Sequence, residues 1–313
     1  MPERARFDVV ALGEALIEFN HTRGAPNQYL QGFGGDTSNC VIAASRLGAS
    51  AAYITRVGDD AFGRMLFELW RRESVDTSGV AIDSDADTGI YFVTHGERGH
   101  EFSYLRAGSA ASRMRAFELP LGVVKSAKVL HVSGISQAIS SSACDSVFAA
   151  IDAARDSGAK ISFDSNLRLK LWPLSRARAV ITATIRVCDW FLPSLDEAAQ
   201  LSGHTEPQAI LDWSHTNGAS LVALKMGGDG VWVSTSHARE RIPGHRVDAV
   251  DATGAGDCFD GALLARLSAG DSPVEAARYA NAAAALATTG YGAVAPLPRH
   301  ADVIALLEEK VAT

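Results

Sequence analysis

The feature that most constrains the fold is the alternation of short apolar runs with alanine-rich runs along the chain. The apolar runs are rich in β-branched residues and predict strands at Val9–Leu12, Ala52–Val57, Val129–Val132, Lys160–Asp164, Trp190–Pro193 and Leu221–Lys225. The runs between them predict helices at Thr37–Leu47, Ala61–Glu73, Ser141–Ser157, Leu195–Leu201, Asp257–Ala269 and Pro273–Thr289. This order predicts an α/β fold with a mostly parallel central sheet covered by helices on both faces.

Two segments interrupt this alternation, residues 14–33 and 88–106, where polar and aromatic residues alternate around turn-forming residues. They predict a small β-sheet lid. Within Glu101–Arg106 the period of two places Phe102, Tyr104 and Arg106 on one face of a strand. No linker composition divides residues 1–313, so a single α/β domain is expected.

Charge and composition exclude several classes of protein. The net charge of −7 argues against a nucleic-acid-binding surface, which needs clustered lysine and arginine. No apolar run reaches the ~18–20 residues of a membrane span, and the N-terminus does not read as a signal peptide. The four cysteines are far apart and suggest neither a zinc site nor a disulfide framework. A cytoplasmic protein without nucleic-acid or membrane partners is expected.

The strongest functional signal is the segment Val250–Gly261, in which small residues precede a helical pattern. Gly254, Ala255 and Gly256, here called the glycine turn, allow backbone N–H groups to approach an anion at a helix N-terminus. Asp257 follows directly and is suited to accept a proton from an attacking hydroxyl. A lone Asp here would more often be a helix cap, but the whole segment favours phosphoryl transfer.

Two further segments have both a functional and a structural interpretation. Lys225 precedes Gly227, Gly228 and Gly230, which could approach a nucleotide or form an ordinary hairpin turn. Ser194-Leu-Asp-Glu197 could place Glu197 near a metal-bound water, or could be a capping box. The first strand ends in Gly13-Glu14 without Gly-x-Gly-x-x-Gly, which argues against a dinucleotide-dependent oxidoreductase.

The chain resembles the ribokinase-like, or PfkB-type, carbohydrate kinases over nearly its whole length. The resemblance rests on Gly34-Gly35-Asp36-Thr-Ser-Asn39 with Ser45-Arg-Leu-Gly48, and on Asp251-Ala-Thr-Gly-Ala-Gly-Asp257. It implies a ribokinase-like three-layer core with a β-sheet lid, through which the protein would form a homo-oligomer. It also implies ATP and Mg²⁺ as cofactors and leaves dependence on a monovalent cation such as K⁺ open.

The resemblance also assigns roles to individual residues. Asp257 is the implied base and Glu197 the implied metal residue, although Ser194 stands where the family has Asn. The implied nucleotide-binding residues are Asn166, Ser194, Lys225, Gly227, Gly228, Gly230, Gly254, Gly256 and Asn281.

Within the family, Tyr104-Leu-Arg106 and Phe163–Arg168 with Leu171-Trp172 resemble 2-keto-3-deoxygluconate kinases. A guanidinium matches the oxygens of a carboxylate and its neighbouring keto group. The resulting expectation is a sugar-acid substrate bound by Gly34, Gly35, Asn39, Tyr91, Tyr104, Arg106, Arg168 and Asp257. Considered alone, Arg106 would more often be a solvated charge, and Tyr91 a packing residue of the lid. Fructose, 5-dehydro-2-deoxygluconate and 2-keto-3-deoxygalactonate remain alternative substrates, and a non-catalytic sugar sensor is a further alternative.

Overall fold

The structure is a computed structural model that describes residues 6–21, 28–96 and 99–309. Residues 22–27 and 97–98 of the predicted lid lie outside the described residues. The strands, in chain order, are β1 (Phe7–Leu12), β2 (Leu16–His21), β3 (Tyr29–Gly34), β4 (Ala51–Gly58), β5 (Val75–Asp83), β6 (Ile90–Gly96), β7 (Gly99–Leu105), β8 (Ala127–Ser133), β9 (Lys160–Asp164), β10 (Trp190–Phe191), β11 (Leu221–Lys225), β12 (Val231–Thr235) and β13 (Arg239–Ile242).

The strands form two separate sheets. The large sheet has nine strands in the order β13-β12-β11-β10-β9-β8-β1-β4-β5, and only β12 and β13 run antiparallel to their neighbours. The small sheet has the order β3-β2-β6-β7, with β2 and β6 parallel between two antiparallel pairs. The carboxyl ends of the parallel strands therefore lie along one edge of the large sheet, where α/β proteins usually bind their ligands.

Helices cover both faces of the large sheet. They are α1 (Asp36–Arg46), α2 (Ala61–Arg72), α3 (Leu121–Lys125), α4 (Gly134–Ala138), α5 (Ser141–Asp156), α6 (Leu174–Ile185), α7 (Leu195–Ser202), α8 (Pro207–Thr216), α9 (Ala255–Ala269), α10 (Pro273–Ala287) and α11 (His300–Glu309). No helix among the described residues is long and apolar enough to cross a membrane.

The core explains why the central strands are apolar at nearly every position. In β1, Val9 and Ala11 belong to one buried cluster, while Val10 and Leu12 belong to a second cluster. Side chains of a strand alternate between the faces of its sheet, and a parallel sheet is covered on both faces. Both faces of β1 are therefore buried in helix-packed core.

The predicted α/β architecture with a large mostly parallel sheet and a smaller separate sheet is confirmed. The predicted strands and helices occur with ends shifted by one or two residues, and β10 ends at Phe191 rather than Pro193. The sequence interpretation missed β5, β13, α3, α4, α6, α8 and α11. In β5 the pattern of buried residues is irregular, because this edge strand carries a register shift against β4.

Candidate active site

A cavity of about 750 Å³ is lined by residues from the carboxyl edge of the large sheet and by residues of the small sheet. The large sheet and its helices contribute Asp164, Lys225 and the glycine turn, and the small sheet contributes Tyr91 and Tyr104. Most of the residues predicted for the site line this one cavity. They are Gly35, Asn39, Tyr91, Tyr104, Arg106, Asn166, Arg168, Ser194, Glu197, Lys225, Gly227, Gly254, Ala255, Gly256 and Asp257.

The glycine turn leads directly into α9. Gly254 has φ of 77°, and a Cβ on it would lie 2.9 Å from the carbonyl oxygen of Ala293, so this position requires glycine. The first i→i−4 bond of α9 runs from Cys258 N–H to the Gly254 carbonyl, 2.8 Å. Before this bond, the N–H of Ala255 donates to the Ala252 carbonyl at 3.2 Å, while those of Gly256 and Asp257 have no i−4 acceptor in the helix. The N-terminus of α9 is therefore suited to bind an anion.

Asp257 is held at the cavity wall by a contact between two helices. The side-chain amide of Asn39, in α1, donates from Nδ2 to Asp257 Oδ2 over 2.8 Å. Burial, followed by the negative charge of Asp36, raises the pKa of Asp257 to about 7, and the Asn39 hydrogen bond opposes this shift. The carboxyl group can therefore hold or release a proton near neutral pH.

Lys225 lies at the end of β11, beside the glycine turn. Its Nζ donates to Asp260 at 3.0 Å and to Asp164 at 3.2 Å. Burial disfavours the ammonium, but these two carboxylates outweigh burial and raise the pKa of Lys225. A Cβ on Gly256 would lie 3.7 Å from Nζ, so a fixed positive charge lies next to the glycine turn.

The small sheet supplies an aromatic wall. The rings of Tyr91 and Tyr104 stack with centroids 5.6 Å apart, and Phe102 stacks with Tyr104 at 6.4 Å. The hydroxyl of Tyr91 donates to the buried carboxyl of Glu18 in the neighbouring strand β2. Phe102, Tyr104 and Arg106 all line the cavity, which confirms the shared strand face predicted from the period of two.

Arg106 is a buried ion-pair partner rather than a solvated charge. It pairs with Glu14, and their side chains are 10% and 0% exposed. Glu14 also accepts a hydrogen bond from the hydroxyl of Ser109. Burial raises the pKa of Glu14, and the nearby Arg106 opposes that shift. Arg106 Nε has no hydrogen-bond partner among the described residues, so one donor at this cavity wall remains available.

Arg168 and Glu197 form a second ion pair at the cavity, with 3.2 Å between Nη1 and Oε1. The other carboxylate oxygen of Glu197 accepts from the hydroxyl of Ser165 at 2.9 Å. Ser194 is the N-cap of α7 but makes no side-chain cap bond, so the capping box does not form. Among the described residues there is no cluster of three or more acidic, His or Cys side chains arranged to hold a metal ion.

Four predicted site residues do not line the cavity. Gly34 lies beneath Tyr91, whose hydroxyl would be 2.4 Å from a Cβ at that position. Gly228 and Gly230 belong to a turn between the antiparallel strands β11 and β12, so the hairpin interpretation is confirmed, with Gly227 alone reaching the cavity. The amide of Asn281 donates to the Pro243 carbonyl at 2.8 Å.

Sequence reasoning missed three acidic residues at the cavity floor. Glu14 follows β1, Asp36 begins α1, and Asp164 ends β9. A usable signal was present, because polar residues at the carboxyl ends of parallel strands meet at one edge of the sheet. Asp36 belongs to the Gly34–Asn39 motif, but the motif alone assigned it no role.

The two sheets, with a cavity containing a glycine turn and a buried carboxyl group, define a ribokinase-like α/β protein. The family model described as pfkB family carbohydrate kinase matches residues 6–300. The chain therefore belongs to the pfkB family of carbohydrate kinases.

Individual relatives agree with this assignment. The chain is 37% identical to fructokinase-1 of Zea mays over 96% of its own length and 98% of the relative. A putative ribokinase II from E. coli in complex with ATP and Mg²⁺ superimposes with a TM-score of 0.89 at 27% identity, covering 96% of this chain and 99% of that one. A fructokinase double mutant from Vibrio cholerae O395, bound to fructose, ADP and potassium, has a TM-score of 0.86 at 29% identity, covering 96% and 98%.

Proposed function

We propose that this protein transfers the γ-phosphoryl group of ATP to the terminal primary hydroxyl of a six-carbon keto sugar. The observation that carries the proposal is the hydrogen bond from Asn39 that holds the Asp257 carboxyl at the cavity wall, directly after the glycine turn. A carboxylate base beside an anion-binding helix N-terminus supplies two requirements of this reaction, an acceptor for the hydroxyl proton and donors for the charge on the transferred group.

In the proposed reaction, the sugar oxygen forms a bond to the γ-phosphorus while the bond from that phosphorus to the β-phosphate oxygen breaks. The proton of the sugar hydroxyl passes to Asp257, and ADP leaves. The N–H groups of the glycine turn stabilise the negative charge on the transferred group. The ammonium of Lys225 lies on the same side and adds positive charge there.

The proposal includes a nucleotide with its metal ion at the same cavity. Gly227 lines the cavity and a Cβ added there would meet no atom within 4 Å, so its backbone is open to a phosphate chain, and Gly228 continues the same turn outside the lining. Glu197 is the acidic residue that we assign to a metal-bound water, together with Ser194 at the start of the same helix. When bound, Mg²⁺ would neutralise phosphate charge. We also assign nucleotide binding to Asn166 and Asn281. Asn281 would act through the loop that contains Pro243, whose carbonyl accepts a hydrogen bond from its side-chain amide. The potassium-bound relative makes K⁺ a further candidate.

Fructose is the first substrate to test. The relative from Zea mays and the fructose-bound neighbour from Vibrio cholerae are fructokinases, which supports the ketose that the sequence left as an alternative. The comparisons give no corresponding support for 2-keto-3-deoxygluconate.

A second candidate is 2-keto-3-deoxygluconate, because two guanidinium groups line the cavity. Arg106 and Arg168 line the cavity together with Tyr104. The Nε of Arg106, which has no hydrogen-bond partner among the described residues, could donate to a substrate carboxylate. Glu14 and Glu197 already balance much of this positive charge. The relative kcat/KM for fructose and for 2-keto-3-deoxygluconate therefore distinguishes the two candidates.

A substrate panel tests the proposal. ATP consumption is measured with fructose, 2-keto-3-deoxygluconate, its galactonate epimer, 5-dehydro-2-deoxygluconate and ribose. We expect one of the first two sugars to give the highest kcat/KM, with the product phosphorylated at the terminal carbon by ³¹P NMR. ATP consumption that no sugar stimulates would reject the kinase and favour a sugar sensor.

We also propose a cytoplasmic homo-oligomer that associates through the small sheet. By strand register Leu105 and Tyr29 share one face of this sheet and are 65% and 42% exposed, while Leu30 on the other face is 62% exposed. Exposed apolar side chains of this size on one sheet are typical of an interaction surface. Sedimentation of the wild type against Leu105→Glu tests the association, and a wild-type monomer at micromolar concentration would contradict it.

A further inference from the structure

Asp260 is a buried carboxyl group within an otherwise apolar stretch of α9. The residue is 1% exposed, and its neighbours Cys258, Phe259 and Ala262 are buried too. It is not among the described residues that line the cavity, so a substrate bound there does not touch it. A carboxyl group in such a place costs free energy unless it is paired and hydrogen-bonded. The partner of Asp260 therefore indicates what this residue does.

That partner is the ammonium group of Lys225. Both carboxyl oxygens of Asp260 lie 3.0 Å from Lys225 Nζ, and Asp164 Oδ2 lies 3.2 Å from the same atom. Asp164 ends β9, Lys225 ends β11, and Asp260 lies in α9 about one turn after Asp257. The contact between Lys225 and Asp260 therefore joins the carboxyl edge of the large sheet to the helix that carries the proposed base.

The backbone of Lys225 is fixed, but its side chain needs an anchor of its own. The Lys225 N–H donates to the Pro193 carbonyl at 2.8 Å, and the residue pairs with Val231 of β12. The ammonium lies at the end of a flexible four-carbon stem. Its place beside Gly256, 3.7 Å from the position of an added Cβ, is therefore held by the carboxyl groups that bind it. A charge held in place in advance stabilises a transition state without reorganisation.

Stability alone does not explain why this pair is buried. Burial raises the pKa of Asp260, and the Lys225 ammonium opposes that shift. A buried ion pair gains little over well-packed apolar side chains, because the cost of removing both charges from water offsets their attraction. A buried pair beside an anion-binding turn is expected instead where the position of a charge matters to the reaction.

We propose that Asp260 is a positioning residue, which fixes the Lys225 ammonium beside the glycine turn so that its charge acts on the transferred phosphoryl group. Asp260 acts through Lys225 and does not contact the substrate. This inference rests on the proposed kinase function and extends the machinery of the reaction to a residue outside the cavity. Loss of Asp260 should lower kcat and leave KM for the sugar unchanged, because no contact with the sugar is removed.

A double-mutant cycle in kcat tests this role. Lys225→Met should lower kcat by about 10²-fold, as for loss of one group that stabilises developing charge. Asp260→Ala alone should lower kcat by about 10-fold, because Asp164 still binds the ammonium but no longer fixes it. In the Lys225→Met background, Asp260→Ala should change kcat by less than about 2-fold, since the group that it positions is gone. A similar fall in both backgrounds, or wild-type kcat in either single variant, would overturn the proposal.

Two controls separate positioning from a structural role. Asp271→Ala is the matched variant, because Asp271 also pairs with a basic residue of α9, Arg266 at 2.7 Å, but neither residue lines the cavity. It should change kcat in neither background. In thermal unfolding, Lys225→Met/Asp260→Ala should be more stable than Lys225→Met, because Asp260 is no longer left unpaired, yet kcat should not recover. Recovery of kcat together with stability would assign Asp260 a structural role only.

If Lys225→Met does not fold, Asp260→Asn replaces the cycle. Its amide oxygen still accepts a hydrogen bond from the ammonium, so its kcat should lie between those of the wild type and Asp260→Ala. Equal kcat values for the two Asp260 variants would overturn the positioning role. A wild type without sugar-dependent ATP consumption would reject the proposed function and this inference together. Sugar-dependent consumption without coupling between Asp260 and Lys225 would reject only the role of Asp260.

Discussion

The cavity wall at the glycine turn and the wall at the small sheet are assembled in different ways. The glycine turn and Asp257 are consecutive in the sequence, and their geometry follows from one helix N-terminus. The small-sheet wall combines Tyr91 of β6 with Arg106, which directly follows β7. Tyr91 is held by the buried carboxyl of Glu18, and Arg106 by that of Glu14. We infer that the first wall carries out the reaction and the second selects the substrate. Mutations in the first wall should therefore lower kcat, and mutations in the second should change KM and substrate preference.

The largest expected effect is that of Asp257→Asn. Because the amide cannot accept the hydroxyl proton, kcat should fall by about 10²–10⁴-fold, the usual range for loss of a positioned base. ATP affinity, measured by calorimetry, should change little, since no nucleotide contact is removed. Turnover at the wild-type level would contradict the assignment of the base and would remove the distinction between the two walls.

The next effect is that of Gly254→Ala. The added Cβ would collide with the Ala293 backbone and displace the N–H groups of the turn, so kcat should fall by about 10²-fold, as for loss of an oxyanion donor. Gly270→Ala is the matched control, because Gly270 has φ of 103° at the other end of α9, with no atom within 4 Å of a Cβ. It should cost about 1 kcal/mol of stability and keep wild-type kcat. Equal losses of kcat would indicate general strain in α9.

Arg106→Ala tests the small-sheet wall and should act on stability and substrate choice rather than on the chemical step. It leaves the buried carboxyl of Glu14 without its partner, which typically costs about 3–5 kcal/mol. Thermal unfolding should show this loss, and the double variant Arg106→Ala/Glu14→Gln should recover part of it. On activity, KM should rise more for 2-keto-3-deoxygluconate than for fructose. Equal rises on both sugars would assign Arg106 a structural role only.

The smallest effect expected is a shift in pH dependence. Asp257 must be ionised to accept a proton, and its pKa is raised to about 7 by burial and then by the charge of Asp36. Activity should therefore increase as pH rises through about 7. Asp36→Asn removes one negative neighbour, lowers the pKa of Asp257, and should move the acid limb of the kcat profile to lower pH. If the acid limb of the kcat profile moved to higher pH in Asp36→Asn, this electrostatic explanation would be contradicted.

The contrast between the walls also explains what the sequence could predict. The residues of the glycine turn and Asp257 are adjacent, so their arrangement follows from local rules for helix N-termini, and the cavity contains all of them. The face shared by Phe102, Tyr104 and Arg106 was predictable for the same reason, because strand periodicity is local.

The partners of these side chains were not predictable, because they are distant in the sequence. Arg106 pairs with Glu14, and Asn39 with Asp257, across 218 positions in the second case. Ser194-x-x-Glu197 does not form a capping box, because the Glu197 carboxylate accepts hydrogen bonds from Ser165 and Arg168 instead. The motif resemblance favoured a sugar acid, whereas the relative from Zea mays is a fructokinase, so local motifs and whole-chain similarity support different substrates.

The most direct test of the central claim is the rate of the chemical step in single-turnover rapid-quench experiments across pH. The wild type should show a rate that increases with pH up to a plateau above about 7, as Asp257 ionises. Asp257→Asn should be slower by at least about 10²-fold and should lack this dependence. A variant with the wild-type rate and the wild-type pH dependence would show that Asp257 is not the base.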